Sequence, residues 1–407
     1  MIYFLVFFLL LICIYAFDYR GYTRFYSFSY WGLLAIFIFV VGMRFRIGTD
    51  SIVYERLFAD MPKFWEFSKY NFNTTRFEPG FIFFTSIPRS FSSDFTLFQF
   101  FHAIVINSII FWFILKNTSH RFVCLSFYYL ILYLNLNTQV LREALAVVTF
   151  LLAWPFFRDG KWLQYYLLAL LSVVFHTSAF LLLFLPLFCL PGIKKAFRFG
   201  WRTLFICVGL LLAGYIIQKR FSEFFMLLSF SERMSGRVHE YAHNAMSGSM
   251  VNIVGAINVF VTTMFFPLVA LYFANNKMKG EKDKLKLKHF HRLEMMVLLC
   301  IYLSVLSIPI FILSRYYNYF GIFSFVVVAS WVFSKLKYKR KYYKLNFGYW
   351  ALVLAAFYLI NFNTYYLTSA NKAGTLKTYM VYYPYVSRLD PSMNTNREAV
   401  FKYYDAR

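Results

Sequence analysis

An all-α bundle of membrane-spanning helices is the fold class that the sequence predicts, and three observations predict it. The composition is 60% hydrophobic, 23% aromatic and only 15% charged over 407 residues, which is more apolar surface than one soluble core can hide. The apolar residues come in blocks close to the length that crosses a bilayer, about 20 residues, with short polar loops between them. No ten-residue alternating pattern of a barrel appears, and in hydrocarbon every backbone amide must be bonded internally, so the blocks are predicted to be helices.

In chain order the apolar blocks fall at roughly 1–17, 28–43, 95–115, 121–137, 138–157, 162–175, 177–190, 203–217, 251–274, 294–313, 316–333 and 346–363. They predict about twelve spans in a single membrane domain over 1–363, followed by an outward-facing tail over 364–407. The first sixteen residues lack a basic n-region and a small-residue cleavage site, so they are expected to be a retained first span. The segment 81–91 ends in Pro88-Arg89-Ser90 and is too short to cross. It is expected to be a re-entrant or interfacial helix, buried against protein.

Orientation follows from charge. The net charge of +24 is split among short loops rather than gathered in one stripe, which favours a positive-inside membrane protein over a nucleic-acid binder. More than half of the 42 Lys and Arg residues fall in 18–27, 116–121, 158–161, 191–202, 275–293 and 334–345, the loops expected to be cytoplasmic. The segments 44–94 and 218–250 and the tail are then expected to face outward. The run KMKGEKDKLKLKHFHR in 275–293 reads as a positive-inside anchor that also attracts anionic lipid. The cysteines at 13, 124, 189, 207 and 300 lie in apolar blocks without C-x-x-C spacing, a pattern that predicts neither a metal site nor a disulfide framework.

The longest polar stretch near the start, RFRIGTDSIVYERLFADMPKFWEFSKYNFNTTRFEPGF over 44–81, is where water-facing chemistry is expected. Arg44 and Arg46 follow the second span directly. Gly48-Thr49-Asp50 offers a turn with a carboxylate, either a cap for a helix starting near Ser51 or a functional group. Tyr54 lies one helical turn beyond Asp50 and can point the same way. Glu78 stands just before Pro79-Gly80, where proline suits a helix start, and is a candidate general base or sugar-binding group. Arg142 falls about one turn inside the span 138–157, where charge is costly and faces a bundle interior or a watery cavity. It is read either as the partner of an outer carboxylate or as a bidentate phosphate ligand. His176 interrupts an apolar run where two short spans must turn round, as a hydrogen-bonded structural residue or a catalyst. His102 lies mid-span and is read as structural. Arg315, with Tyr319 one turn later, divides two spans at the expected outer surface, as an interfacial anchor or an anion ligand. Aromatic residues in the outer segments, among them Trp65, Tyr70, Tyr382 and Tyr385, are expected to stack on sugars.

The ordered pieces GMRFRIGTDSIVY, FEPGF, LREALA, VFHTSAF and SRYYNYF resemble the Wzy-like polysaccharide polymerases of the EpsG family over about residues 40 to 320. In this chain Leu141 and Glu143 flank Arg142 where many relatives look more like Ser-Arg-Gln. The resemblance implies a multi-pass protein of the bacterial inner (cytoplasmic) membrane, with its site facing the periplasm or cell exterior. It implies glycosyl transfer between undecaprenyl-pyrophosphate-linked oligosaccharides, without metal or cofactor. Glu78, Asp50 and His176 would serve as candidate bases in that order, and Arg44, Arg46, Tyr54, Arg142, Arg315 and Tyr319 would bind pyrophosphate or glycan. The implied partners are the lipid-linked oligosaccharides, membrane lipid and a chain-length regulator, with no nucleic acid. A translocase of lipid-linked oligosaccharide is the alternative; it would show internal repeats and broken helices near the midplane, whereas the ionisable residues here gather at span ends.

Overall fold

The structure is a computed structural model, and it describes residues 2–48, 50–72, 75, 77–218 and 260–336, with 382, 383, 385–390, 392 and 397 of the tail. The described residues are helical with turns and no β-strand, the architecture that the apolar blocks predict. Among the described residues, four helices are long and apolar enough to cross a membrane: Ile2–Tyr19, Phe95–Asn117, Lys284–Leu306 and Ile312–Trp331. Shorter apolar helices cover Tyr26–Gly42, Arg121–Tyr133, Trp162–Phe175, Thr177–Cys189 and Trp201–Ile217. The expected span 346–363 lies outside the described residues, as does the expected outer loop 218–250 beyond its first residue.

The chain divides into two compact units, Met1–Leu185 with Val332–Arg407, and Pro186–Trp331. The first unit begins with α1 (Ile2–Cys13), which runs on as a π-helical turn to Tyr19, and α2 (Tyr26–Gly42). Two short helices follow in the polar segment, α3 (Ser51–Ala59) and α4 (Pro79–Phe91), the second over the stretch expected to be re-entrant or interfacial. Next come α5 (Phe95–Asn117), α6 (Arg121–Phe127), α7 (Leu141–Asp159) and α8 (Trp162–Phe175). The Asp94 side chain starts α5 by accepting from the Thr96 amide at 2.9 Å, satisfying one of the donors that a helix start leaves open. Gly160, at φ 83°, ends α7 in the left-handed conformation that suits a glycine just past a helix.

Burial ranks these helices. The first half of α7, from Glu143 to Leu151, is buried on every side, as befits a central helix apolar all round. In contrast, α8 buries only Tyr165, Ala169 and Ser172, a stripe at helical spacing, and leaves Leu163, Leu167 and Leu170 exposed. Two polar groups inside the bundle show how buried polarity is met. Asn107 donates to Asn137 at 2.9 Å and accepts from the Tyr128 hydroxyl at 2.8 Å. His102, which the sequence offers no polar company, has its Nε2 at 3.0 Å from the Leu141 carbonyl oxygen.

The tail returns to the first unit. The Phe45 amide donates to the Val386 carbonyl at 2.9 Å, the Arg388 amide donates to the Met43 carbonyl at 2.8 Å, and Arg44 and Ser387 form an isolated antiparallel bridge. Tyr382 is 2% exposed and packs on Ile47, and the Tyr385 hydroxyl donates to the Val40 carbonyl at 2.8 Å. These two tyrosines, expected to meet sugars, are packed inward as a strap over the end of α2.

In the second unit, α9 (Pro191–Lys194) is a single turn before α10 (Trp201–Gln218). The helices α11 (Phe266–Met278), α12 (Lys284–Leu306) and α13 (Tyr316–Leu336) follow. Asp283 caps α12, its carboxylate accepting from the Leu285 amide at 2.8 Å.

Candidate functional site

Three chain segments converge on Glu78. Pro79 occupies the first position of α4 and Glu78 the position before it, with extended backbone (φ −68°, ψ 145°). The Glu78 carbonyl takes the first helix bonds, from the Phe81 and Ile82 amides at 3.1 and 3.2 Å, while its side chain makes no capping bond. The carboxylate is therefore free to reach across. Its Oε2 accepts from Arg142 Nη1 at 2.7 Å, and its Oε1 lies 2.9 Å from His176 Nδ1.

Two glycines make that convergence possible. A Cβ on Gly80 would stand 2.8 Å from the Val174 carbonyl oxygen, so the bare backbone lets the head of α4 lie against the end of α8, next to His176. Gly48, at φ +103°, is in the left-handed region, and a Cβ there would stand 2.5 Å from the Thr138 carbonyl oxygen. The turn after α2 thus presses on the segment leading into α7 and Arg142.

The second layer fixes Arg142. Its guanidinium lies 4.8 Å over the centroid of the Phe77 ring, a favourable cation–π placement, and it is electrostatically coupled to the Tyr54 phenol. Tyr54 is buried on α3 and stacks on Phe77 with centroids 6.1 Å apart. Arg142 keeps 22% of its side chain exposed, while its Nε is buried without a hydrogen-bond partner among the described residues. On the other side of the imidazole, His176 Nε2 lies 3.9 Å from Glu143 Oε2.

Electrostatics sort the protonation states. Burial pushes the Glu78 carboxyl up, but the hydrogen bond from His176 and the charge of Arg142 outweigh it and bring Glu78 down to about 2. Glu78 is therefore ionised at neutral pH. An ionised carboxylate only accepts hydrogen bonds, so the proton between the two residues sits on His176 Nδ1. Burial pushes the Tyr54 phenol up, against the opposing pull of Arg142.

The other predicted residues make the following contacts. Asp50 stands at the head of α3, exposed, and its side chain makes no capping bond there; its charge is felt at Tyr54. Arg46 pairs with Glu55 at 2.9 Å, and its carbonyl accepts from Arg397 Nη2 at 2.7 Å. Arg44 is 2% exposed and donates to the Val41 carbonyl, so it caps the end of α2, where the helix dipole favours a cation. Arg315 and Tyr319 belong to the second unit; Arg315 closes the 3-10 turn Phe311–Arg315, and Tyr319 is fully buried on α13. The sequence reading did not select Phe77 or Glu143. Both stand next to selected residues, Glu78 and Arg142, and that adjacency is the trace they leave in the sequence.

Fold and cluster together define a class: a helical membrane protein whose ionisable side chains meet at helix ends. The chain belongs to the EpsG family, whose model matches residues 29–387. No curated protein and no solved structure matches it. Family membership carries, at family level, a membrane function of the polysaccharide-polymerase type.

Proposed function

We propose that this protein joins oligosaccharide repeat units carried on a polyprenyl pyrophosphate, undecaprenyl in bacteria, at the outer face of the inner membrane. The observation that carries the proposal is the Arg142–Glu78–His176 cluster, three ionisable side chains gathered from distant segments at the ends of helices. In the reaction, a sugar hydroxyl of the incoming repeat unit attacks the anomeric carbon of the glycan on its lipid pyrophosphate. A carbon–oxygen bond forms, the bond from that carbon to the pyrophosphate oxygen breaks with its electron pair on the oxygen, and the hydroxyl proton passes to a base.

Each residue has a part. Arg142 stabilises the negative charge growing on the leaving pyrophosphate, with a guanidinium already oriented by Tyr54 and Phe77. Glu78, ionised and held by two partners, is a poor proton acceptor at neutral pH. It orients His176 through Nδ1–H, and His176 Nε2 then takes the hydroxyl proton. The preferred base thereby moves from Glu78 to His176, with Asp50, on the same polar segment, as a further candidate. Arg315 is carried as a pyrophosphate contact by family resemblance and Arg46 by its charge in the polar segment, while Arg44 acts through the fold of the loop it caps and Tyr319, fully buried on α13, through packing.

The test is the length of polysaccharide on a gel from a deletion strain complemented with wild type, Arg142→Ala or Glu78→Gln, with protein level checked in membranes. Wild type is expected to restore a ladder of long chains. Both variants, present at normal level, are expected to leave single repeat units. A deletion strain with no repeat unit at the outer face and intermediates trapped inside would replace polymerisation with translocation.

A further inference from the structure

We infer that one end of the second unit is a docking surface for the anionic headgroups of the bilayer, assembled from three chain segments by one buried carboxylate. That carboxylate is Glu294 on α12, 1% exposed. It accepts from the Phe199 amide at 2.9 Å and from Asn275 Nδ2 at 2.6 Å, meets His291 Nδ1 at 3.1 Å, and has Arg198 Nη1 at 3.7 Å. Phe199 precedes α10, Asn275 lies in the last turn of α11, and His291 lies in the first half of α12. Glu294 therefore fixes three segments at one level, and the Tyr302 hydroxyl, donating to the Ala196 carbonyl at 3.0 Å, ties two of them again.

The consequence is a gathering of charge that no single loop possesses. Lys194, Lys195, Lys277, Lys279, Lys282 and Lys284 are all exposed, and none of them forms an ion pair among the described residues. The nearby acids are engaged: Asp283 caps α12 at the Leu285 and Lys286 amides, and Glu281 pairs with Lys286 at 3.2 Å. Beside the lysines stands an apolar rim, with Trp201 72%, Leu285 58% and Leu190 50% exposed, and the Arg202 guanidinium lies 5.8 Å from the Trp201 ring centroid.

The combination selects the partner. α12 is 23 residues long, about 34 Å at 1.5 Å per residue, against a hydrocarbon core of about 30 Å. Its basic first turn, with Lys284 and Lys286, is thereby brought to the headgroup layer, where exposed tryptophan also concentrates. Lysines are point charges without the planar fork that grips one phosphate. Six of them spread over an open face suit a field of anionic headgroups better than a single bound anion, and an apolar rim beside them suits a bilayer better than a nucleic acid.

The test uses the full chain in detergent, with lipid binding read by native mass spectrometry against short-chain phosphatidylglycerol and phosphatidylcholine. Wild type is expected to prefer phosphatidylglycerol, and the preference is expected to weaken with added salt. The exposed triple variant K279Q/K282Q/K284Q is expected to bind phosphatidylglycerol roughly a hundredfold more weakly, each lysine being worth on the order of fivefold, with phosphatidylcholine binding and the unfolding midpoint unchanged. Equal phosphatidylglycerol affinity in wild type and variant would overturn the inference. So would loss of the lipid preference to competing inorganic phosphate, which would indicate a free-anion site, or tighter binding of an oligonucleotide than of phosphatidylglycerol.

Discussion

Glu78 stands where a side chain usually caps its own helix, and instead it bridges two other segments. The difference matters because a carboxylate between Arg142 and His176 is worth more ionised than neutral, so it contributes to stability as well as to chemistry. Its folded value of about 2 lies below the ordinary 4.5. The stabilisation is therefore complete above the ordinary value and is lost as pH falls from there through about 2. Glu78→Gln should remove this acid-dependent component. It should also cost about 2–3 kcal/mol at neutral pH, below the roughly 3–5 kcal/mol of a fully buried pair because Arg142 keeps some solvent contact. Unfolding midpoints of both proteins in detergent across that pH window check both statements. An equal acid response in the two proteins would show that Glu78 is not what the acid reaches.

Among the elements, α4 is the clearest case of backbone geometry serving a site. Gly80→Ala tests it, since two effects oppose each other. Alanine in a helix gains up to about 1 kcal/mol over glycine, but its Cβ would stand 2.8 Å from the Val174 carbonyl oxygen. The obstructing atom is backbone and cannot rotate away, so overpacking of about 1–3 kcal/mol should win. The expected result is a lower unfolding midpoint and shorter polysaccharide chains, as α4 and His176 are pushed apart. A midpoint at or above wild type would mean that helix propensity dominates and the contact is loose.

At the scale of the whole molecule, the tail closes the first unit onto its own beginning. Tyr382 and Val386 are 2% and 1% exposed, and the Arg388 guanidinium reaches Asp94 at 3.1 Å, ahead of α5. Burying two such side chains is worth about 1.5–3 kcal/mol each, less the entropy of ordering the strap. Truncation before residue 382 should thus lower the stability of the protein and uncover Arg44. Thermal unfolding of the truncated chain in detergent measures it, and an unchanged midpoint would make the strap incidental to stability.

Apolar blocks, positive loops and short motifs sufficed to specify an all-α membrane bundle and the family, because solvent and helix period act locally along the chain. Pro79 announced a helix start for the same reason, whereas the left-handed Gly160 at the end of α7 is seen only in the structure. What they did not specify was which charges meet. Arg44 and Arg142 look alike in the sequence, both arginines at the end of an apolar block. Only packing makes one a buried cap on α2 and the other the partner of Glu78, 64 residues away. The same holds for Tyr385, which reaches Val40 across 345 residues, and for Glu294, which gathers lysines from three segments. Contacts of that range depend on how whole helices pack, and packing is decided by the sum of many weak apolar contacts that no single stretch of sequence contains.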